Sequence, residues 1–196
     1  MAKKLSQVKD AISDKKILRY LIIFPLLAWL IKMVIMFNIQ AGGWLGADGE
    51  NYIAGVDGLM IHGFFSNEPK LSYWPAGYPL MLWPLGEISA SKFLYLVSFI
   101  QSTFFAYSTY FMSKNILKSS IKYLAFTSSL LISFNPTLSL STLAIGYEAP
   151  IAACLMMVIG TILKIYGKEP DRKFWLSVIA IAFWFGIAIF MQPRFL

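Results

Sequence analysis

Residues 21–37 read LIIFPLLAWLIKMVIMF, an apolar run in which Lys32 is the only charge. About 20 such residues in a helix cross the hydrocarbon core of a bilayer, and the apolar core of a secretory signal is shorter. The run follows the basic segment MAKKLSQVKDAISDKKILRY (1–20), and no small-residue cleavage site comes after it. It reads as an uncleaved signal anchor.

The remaining chain has the same character. Of its 196 residues 58% are hydrophobic and only 14% charged, against roughly 25% charged in a soluble domain. Hydropathy predicts membrane helices at 17–37, 93–112, 122–140, 150–166 and 174–191. The expected fold is all-α and integral to the membrane, a multi-pass bundle of about five transmembrane helices forming a single domain over 1–196. Cys154 is the one cysteine and lies in an apolar run. An internal disulfide and a cysteine metal cluster are thereby excluded, and a small buried hydrophobe is the expected role.

The net charge of +7 does not point to nucleic acid, because the basic residues sit in short clusters beside the apolar runs, where they report topology. Lys3, Lys4, Lys9, Lys15, Lys16 and Arg19 precede the first predicted helix. Lys114, Lys118 and Lys122 follow the second, and Lys164, Lys168, Arg172 and Lys173 separate the fourth from the fifth. These are 13 of the 17 Lys and Arg. The positive-inside rule then makes the N-terminus cytoplasmic, in what the sequence suggests is a bacterial inner membrane. The loop 38–91, the link 135–148 and the closing QPRFL (192–196) fall outside. Asp48, Glu50, Asp57, Glu68, Glu87 and Glu148 share that outer side with few cations: Lys70, Lys92 and Arg194, with Lys32 near enough its helix end to snorkel.

Within the outer loop, GADGENYIAGVDGLMIHGFF (46–65) places Tyr52, Ile53, Val56, Leu59, Met60 and Phe64 at helical spacing. The pattern predicts an amphipathic interfacial helix of about three turns, with Asp48 near its N-cap. The pairs Asp48-Gly49 and Asp57-Gly58 favour turns instead. YWPAGYPLMLWPLG (73–86) is too short to span and carries Pro75, Pro79 and Pro84. It suits a re-entrant or interfacial segment with Tyr73, Trp74, Tyr78 and Trp83 at headgroup level.

Asp48 and Glu50 would lie at the outer water–lipid boundary, where partial desolvation lets a carboxylate act as a general base toward an acceptor hydroxyl. The competing reading is that both acids cap a helix and stay solvated, as Asp57 is expected to do. Glu148 precedes Pro150, which suits the first turn of a helix; it either caps that helix or faces Asp48 as a second acid or metal ligand. A divalent metal would suit such carboxylates, whereas His62, the only histidine, excludes a His-rich zinc site and is expected in a loop. Arg194 could clamp a phosphate or anchor the helix at the interface.

Taken in order, the N-in first helix, GADGENYIAG, GFF, YWPAGYPLMLWPLG, NPTLSLSTLAIGYEAP (135–150) and QPRFL resemble the N-terminal part of GT-C superfamily glycosyltransferases. The protein O-mannosyltransferases and the lipid A aminoarabinose transferase are the most similar in pattern. The acid–Tyr segment followed by P-x-G-Y-P is its most specific part. The resemblance implies transfer of a sugar from a polyprenyl-phosphate donor to an acceptor hydroxyl on a lipid, glycan or protein, outside the cytoplasm and with inversion. It also implies Asp48 as base with Glu50 as rival, and Tyr52, Tyr78, Glu148 and Arg194 as substrate contacts. Family members carry adjacent acids where this chain has Gly49 between Asp48 and Glu50, which leaves the base undecided. They are also longer, so this chain is expected to be an N-terminal portion. No Gly-rich phosphate loop is present, and a lipid-phosphate donor needs none. The alternative is a non-enzymatic membrane protein, a transporter part or assembly subunit, whose outer loop docks a partner.

Overall fold

A computed structural model describes residues 2–38, 48–73, 76–119 and 121–192. Among these, the regular structure is helical: α1 (Ala2–Asn38), α2 (Gly49–His62), α3 (Pro69–Tyr73), α4 (Gly77–Ile88), α5 (Phe93–Lys118), α6 (Lys122–Ser133), α7 (Pro136–Leu140), α8 (Glu148–Ile165) and α9 (Arg172–Met191). Short 3₁₀ turns lie at Ala90–Lys92 and Ser141–Leu143.

Three stretches are long and apolar enough to cross a membrane: Lys16–Asn38 of α1, Glu148–Ile165 and Arg172–Met191. Their outward faces expose large apolar side chains, including Ile22, Leu26, Leu30 and Val34 on α1 and Ile179, Phe183 and Phe190 on α9. Water rarely borders apolar surface on that scale, and lipid does. The chain is therefore a membrane protein.

The other two expected spans differ in kind. α5 has 26 residues, roughly 39 Å of helix, but its buried side carries Ser98, Gln101, Ser102, Ser108, Thr109, Ser113 and Asn115, which lowers its hydropathy. Small hydroxyl residues let helices approach closely, and α5 is the central helix, packed against α1, α6 and α8. Ser98 Oγ donates to the Leu143 carbonyl at 2.9 Å, and Ser102 and Thr142 hydroxyls pair at 2.9 Å.

The helix expected over 122–140 is broken. α6 stops at Ser133 after 12 residues, roughly 18 Å, and α7 starts afresh. Asn135 caps α7, its Oδ1 accepting from Leu138 N at 2.8 Å, with Pro136 in the first helical position. Asparagine at the N-cap and proline at N1 are the strongest start signals a helix has, and here they outweigh continuous hydropathy.

The amphipathic helix expected in the loop is α2, which buries Tyr52, Val56 and Leu59 and exposes Asp57 and His62. His62 thus ends a helix rather than sitting in a loop. The Asp57-Gly58 pair makes no turn. Gly58 is a packing residue: a Cβ there would lie 2.6 Å from Glu68 Cβ, and one at Gly55 would lie 3.1 Å from Pro79 Cγ. The proline-rich segment is likewise more regular than its composition suggests, since α4 runs through Pro79, in its first turn, and Pro84. Trp74 and Pro75 lie outside the described residues.

Lys32 does not snorkel. It falls on the same face as Leu21, Pro25, Ala28 and Met36, which packs inward, and is only 2% exposed. Its ammonium rests 5.0 Å from the centre of the Phe105 ring on α5, a cation–π contact that partly replaces lost hydration.

α2, α4, the first half of α5, the start of α8 and the end of α9 share one apolar core. This places the loop helices at one end of the bundle. The α8–α9 turn lies at the other, with the end of α5.

Candidate functional site

The site is built at the end of the bundle where α2 and α4 sit. Asp48 precedes α2 by one residue, and the register places Tyr52 one turn further along the same face. Tyr78, in the first turn of α4, meets it from the side. Tyr147, the residue before α8, closes the group. The Tyr52 and Tyr78 rings stand edge to face at 5.1 Å, Tyr52 and Tyr147 at 5.9 Å, and Tyr78 and Tyr147 at 6.5 Å. Three mutually perpendicular rings satisfy the quadrupole preference of aromatic pairs at every edge of the triangle. Tyr52 and Tyr78 are each 1% exposed.

Amide and peptide donors hold the phenols. Tyr78 Oη accepts from Gln101 Nε2 at 2.6 Å and from Gly146 N at 3.0 Å. Tyr147 Oη accepts from Gln192 Nε2 at 2.8 Å. Four separate parts of the chain, α4, α5, the 144–147 link and the end of α9, therefore meet on two hydroxyls.

The two acids come to this cluster from different elements. Burial pushes the Tyr52 phenol well above its ordinary range, and the neighbouring Tyr147, Asp48 and Glu148 add to the shift in that order. Burial does the same to Tyr78, against the Gly146 and Gln101 hydrogen bonds, which favour the phenolate. Both phenols are therefore neutral at physiological pH. Glu148 opens α8, is exposed, and folds its carboxylate back over Gly146: a Cβ there would lie 2.5 Å from Glu148 Oε2. Asp48 is half-buried and stands at the N-cap of α2, yet its side chain makes no capping hydrogen bond. Only its backbone carbonyl serves the helix, accepting from Asn51 N and Tyr52 N at 3.1 and 3.3 Å.

The residues anticipated from sequence thus divide. Asp48, Tyr52, Tyr78 and Glu148 gather at one place. Glu50 is exposed and lies about 200° around α2 from Asp48, on the far side of the helix. Tyr78 is a core residue instead of a headgroup-level aromatic, because the hydrogen bonds to Gln101 and Gly146 satisfy its hydroxyl inside the protein. Arg194 lies outside the described residues. Tyr147 and Gln192 are not among the residues that the sequence points to, and Gln101 stands out there only as a polar residue within an expected span, with Lys32, under the non-enzymatic alternative. An amide in the first half of α5, directly after Phe99 and Ile100, was the readable signal, since a buried amide needs a partner.

Asp48 and Glu148 can accept a proton or a hydroxyl hydrogen bond, and the phenols supply apolar walls with polar tips. Among the described residues no group of three or more His, Cys, Asp or Glu draws together to hold a metal. Comparison of the chain with protein-family models, with curated proteins and with solved structures gave no significant match.

Proposed function

We propose that the chain is the N-terminal, membrane-embedded part of a glycosyltransferase that moves a sugar from a polyprenyl-phosphate donor to an acceptor hydroxyl on the extracytoplasmic face. The observation that carries this reading is the convergence of Asp48 and Glu148, from α2 and α8, on the buried Tyr52 phenol, with the Asp48 carboxylate free of any capping bond.

In this scheme Asp48 takes the proton of the acceptor hydroxyl as its oxygen attacks the anomeric carbon. The bond from that carbon to the phosphate oxygen breaks, the lipid phosphate leaves with the bonding electrons, and the configuration inverts. Glu148, which also acts on the Tyr52 phenol, orients acceptor or sugar hydroxyls. Arg194, three residues beyond the end of α9, is assigned to the leaving phosphate, where a guanidinium forms a two-point contact. The basic clusters at the opposite end support an N-terminus in the cytoplasm and a site facing away from it.

Labelled polyprenyl-phosphate pentose and hexose donors, given to membranes holding the full-length protein, test the scheme. Asp48→Asn is expected to lower transfer by about 10²- to 10⁴-fold, the range for a lost general base, and Glu50→Gln by less than about threefold. Equal transfer by Asp48→Asn and wild type would remove Asp48 from its role.

A second reading draws on the buried polar face of α5 and on Lys32, features that a transporter part would use to line a path. Binding of the lipid-linked donor to purified protein separates the two, because a transporter part or docking subunit without sugar chemistry should retain none.

A further inference from the structure

At the end of the bundle away from the tyrosines, α8 and α9 are joined by a tight turn in which Gly167 takes a left-handed conformation (φ 69°). Beneath this turn α5, α8 and α9 enclose a cleft of about 380 Å³. Its mouth carries Lys164, from the last turn of α8, Lys168 from the turn, and Lys173 from the first turn of α9. All three lysines are exposed at the surface. Its walls run inward through Ile165, Phe174 and Leu176 to Trp184. From Lys173 to Trp184 is roughly 16 Å along the axis of α9, about half the thickness of a bilayer core.

The one carboxylate in the lining, Asp171, is engaged elsewhere: its Oδ1 caps α9, accepting from Phe174 N at 2.7 Å. Three lysines against this one carboxylate leave the lining with a surplus of positive charge. Tyr166 and Trp175, strongly exposed on either side of the turn, are the amphipathic aromatics that settle at headgroup depth. The mouth is consequently cationic at the level of lipid phosphates, and the cleft becomes apolar at the level of acyl chains.

We propose that this cleft is a binding site for an anionic glycerophospholipid, whose phosphate is held by Lys164, Lys168 and Lys173 and whose acyl chain lies against Phe174, Leu176 and Trp184. A polarity that changes from cationic to apolar over half a bilayer matches one leaflet of such a lipid and not a free anion, for which the apolar depth would have no function. The site lies at the opposite end of the bundle from Asp48 and Tyr52 and is independent of sugar transfer.

The purified chain, exchanged into detergent with equimolar phosphatidylglycerol and phosphatidylcholine, is examined by native mass spectrometry. Wild type is expected to retain one phosphatidylglycerol in preference to phosphatidylcholine. Each lysine contributes about fivefold, so K164Q/K168Q/K173Q should weaken retention on the order of a hundredfold, while K70Q/K92Q at the other end leaves it unchanged. Millimolar inorganic phosphate should not displace the lipid. Single Lys168→Gln, in an exposed turn, gives the fivefold effect even where the triple variant folds poorly. Equal retention of the two lipids, displacement by inorganic phosphate, or undiminished retention by the folded Lys168→Gln and triple variants would overturn the proposal.

Discussion

Replacing Tyr78 by Phe keeps the ring that packs at 5.1 Å from Tyr52 and removes only the oxygen on which two donors converge. Gly146 N, bonded at 3.0 Å and part-buried, lies in a link with no helical carbonyl offered to it and would lose its partner, at about 1–2 kcal/mol, the lower part of the range for a buried donor. The Gln101 amide, bonded at 2.6 Å, can turn and recover part of its loss, so about 0.6 kcal/mol, the average for hydrogen bonds between membrane helices, is the better figure for it. The expected destabilisation is about 2 kcal/mol. Reversible unfolding in mixed micelles measures it, and the double variant Tyr78→Phe/Gln101→Leu supplies the control, being less than additive by about the Gln101 share. A Tyr78→Phe cost under about 0.5 kcal/mol would refute the view that this hydroxyl ties the link 144–147 to the bundle.

Other expectations concern packing, proton linkage and the buried cation. Gly77→Ala would drive a Cβ into the Phe190 carbonyl of α9; because backbone cannot yield, thermal unfolding should show a loss of about 3 kcal/mol, whereas Gly86→Ala meets side chains, the flexible Met60 Sδ at 2.7 Å and Val56 Cγ1 at 3.3 Å, and should lose about 1 kcal/mol. The Tyr52 pKa is raised in the folded chain, so the unfolded state releases that proton first. Stability is then undiminished below the unfolded value of about 10, falls as pH rises beyond it, and falls less steeply in Tyr52→Phe, which an alkaline pH series of melting temperatures would reveal. Lys32→Met removes an interior cation while keeping the volume over Phe105, and the variant should melt at or above the wild-type temperature. A marked loss of stability would mean that Lys32 has an anionic partner.

Much of this architecture was legible because membrane physics writes itself into composition. The apolar runs of α1, α8 and α9 and the spacing of Tyr52, Val56 and Leu59 each follow from one solvent boundary and one helical period. Legibility failed where a local signal competed with that average. Asn135-Pro136 announced a new helix inside a run that hydropathy joined, and Asp57-Gly58 announced a turn where the missing side chain was needed for packing against Glu68. The tyrosine cluster was only half visible. Asp48, Tyr52, Tyr78 and Glu148 were singled out, but tyrosine in such a chain reads first as a headgroup anchor. Nothing local to Tyr147 or Gln192, 45 positions apart, says that they touch. That information is held in how α8 and α9 return to the same end of the bundle.

The contact of Gly77 with the Phe190 carbonyl also determines what the tyrosines move with. α4 is too short to have a footing in the bilayer of its own, but bare backbone against backbone keys it to α9, a helix long and apolar enough to cross the hydrocarbon. Tyr78 therefore takes its height from α9 and not from the loop that carries it. Any tilt that a thicker or thinner bilayer imposes on α9 becomes a displacement of the phenols, with α9 as the lever and Gly77 as its point of attachment.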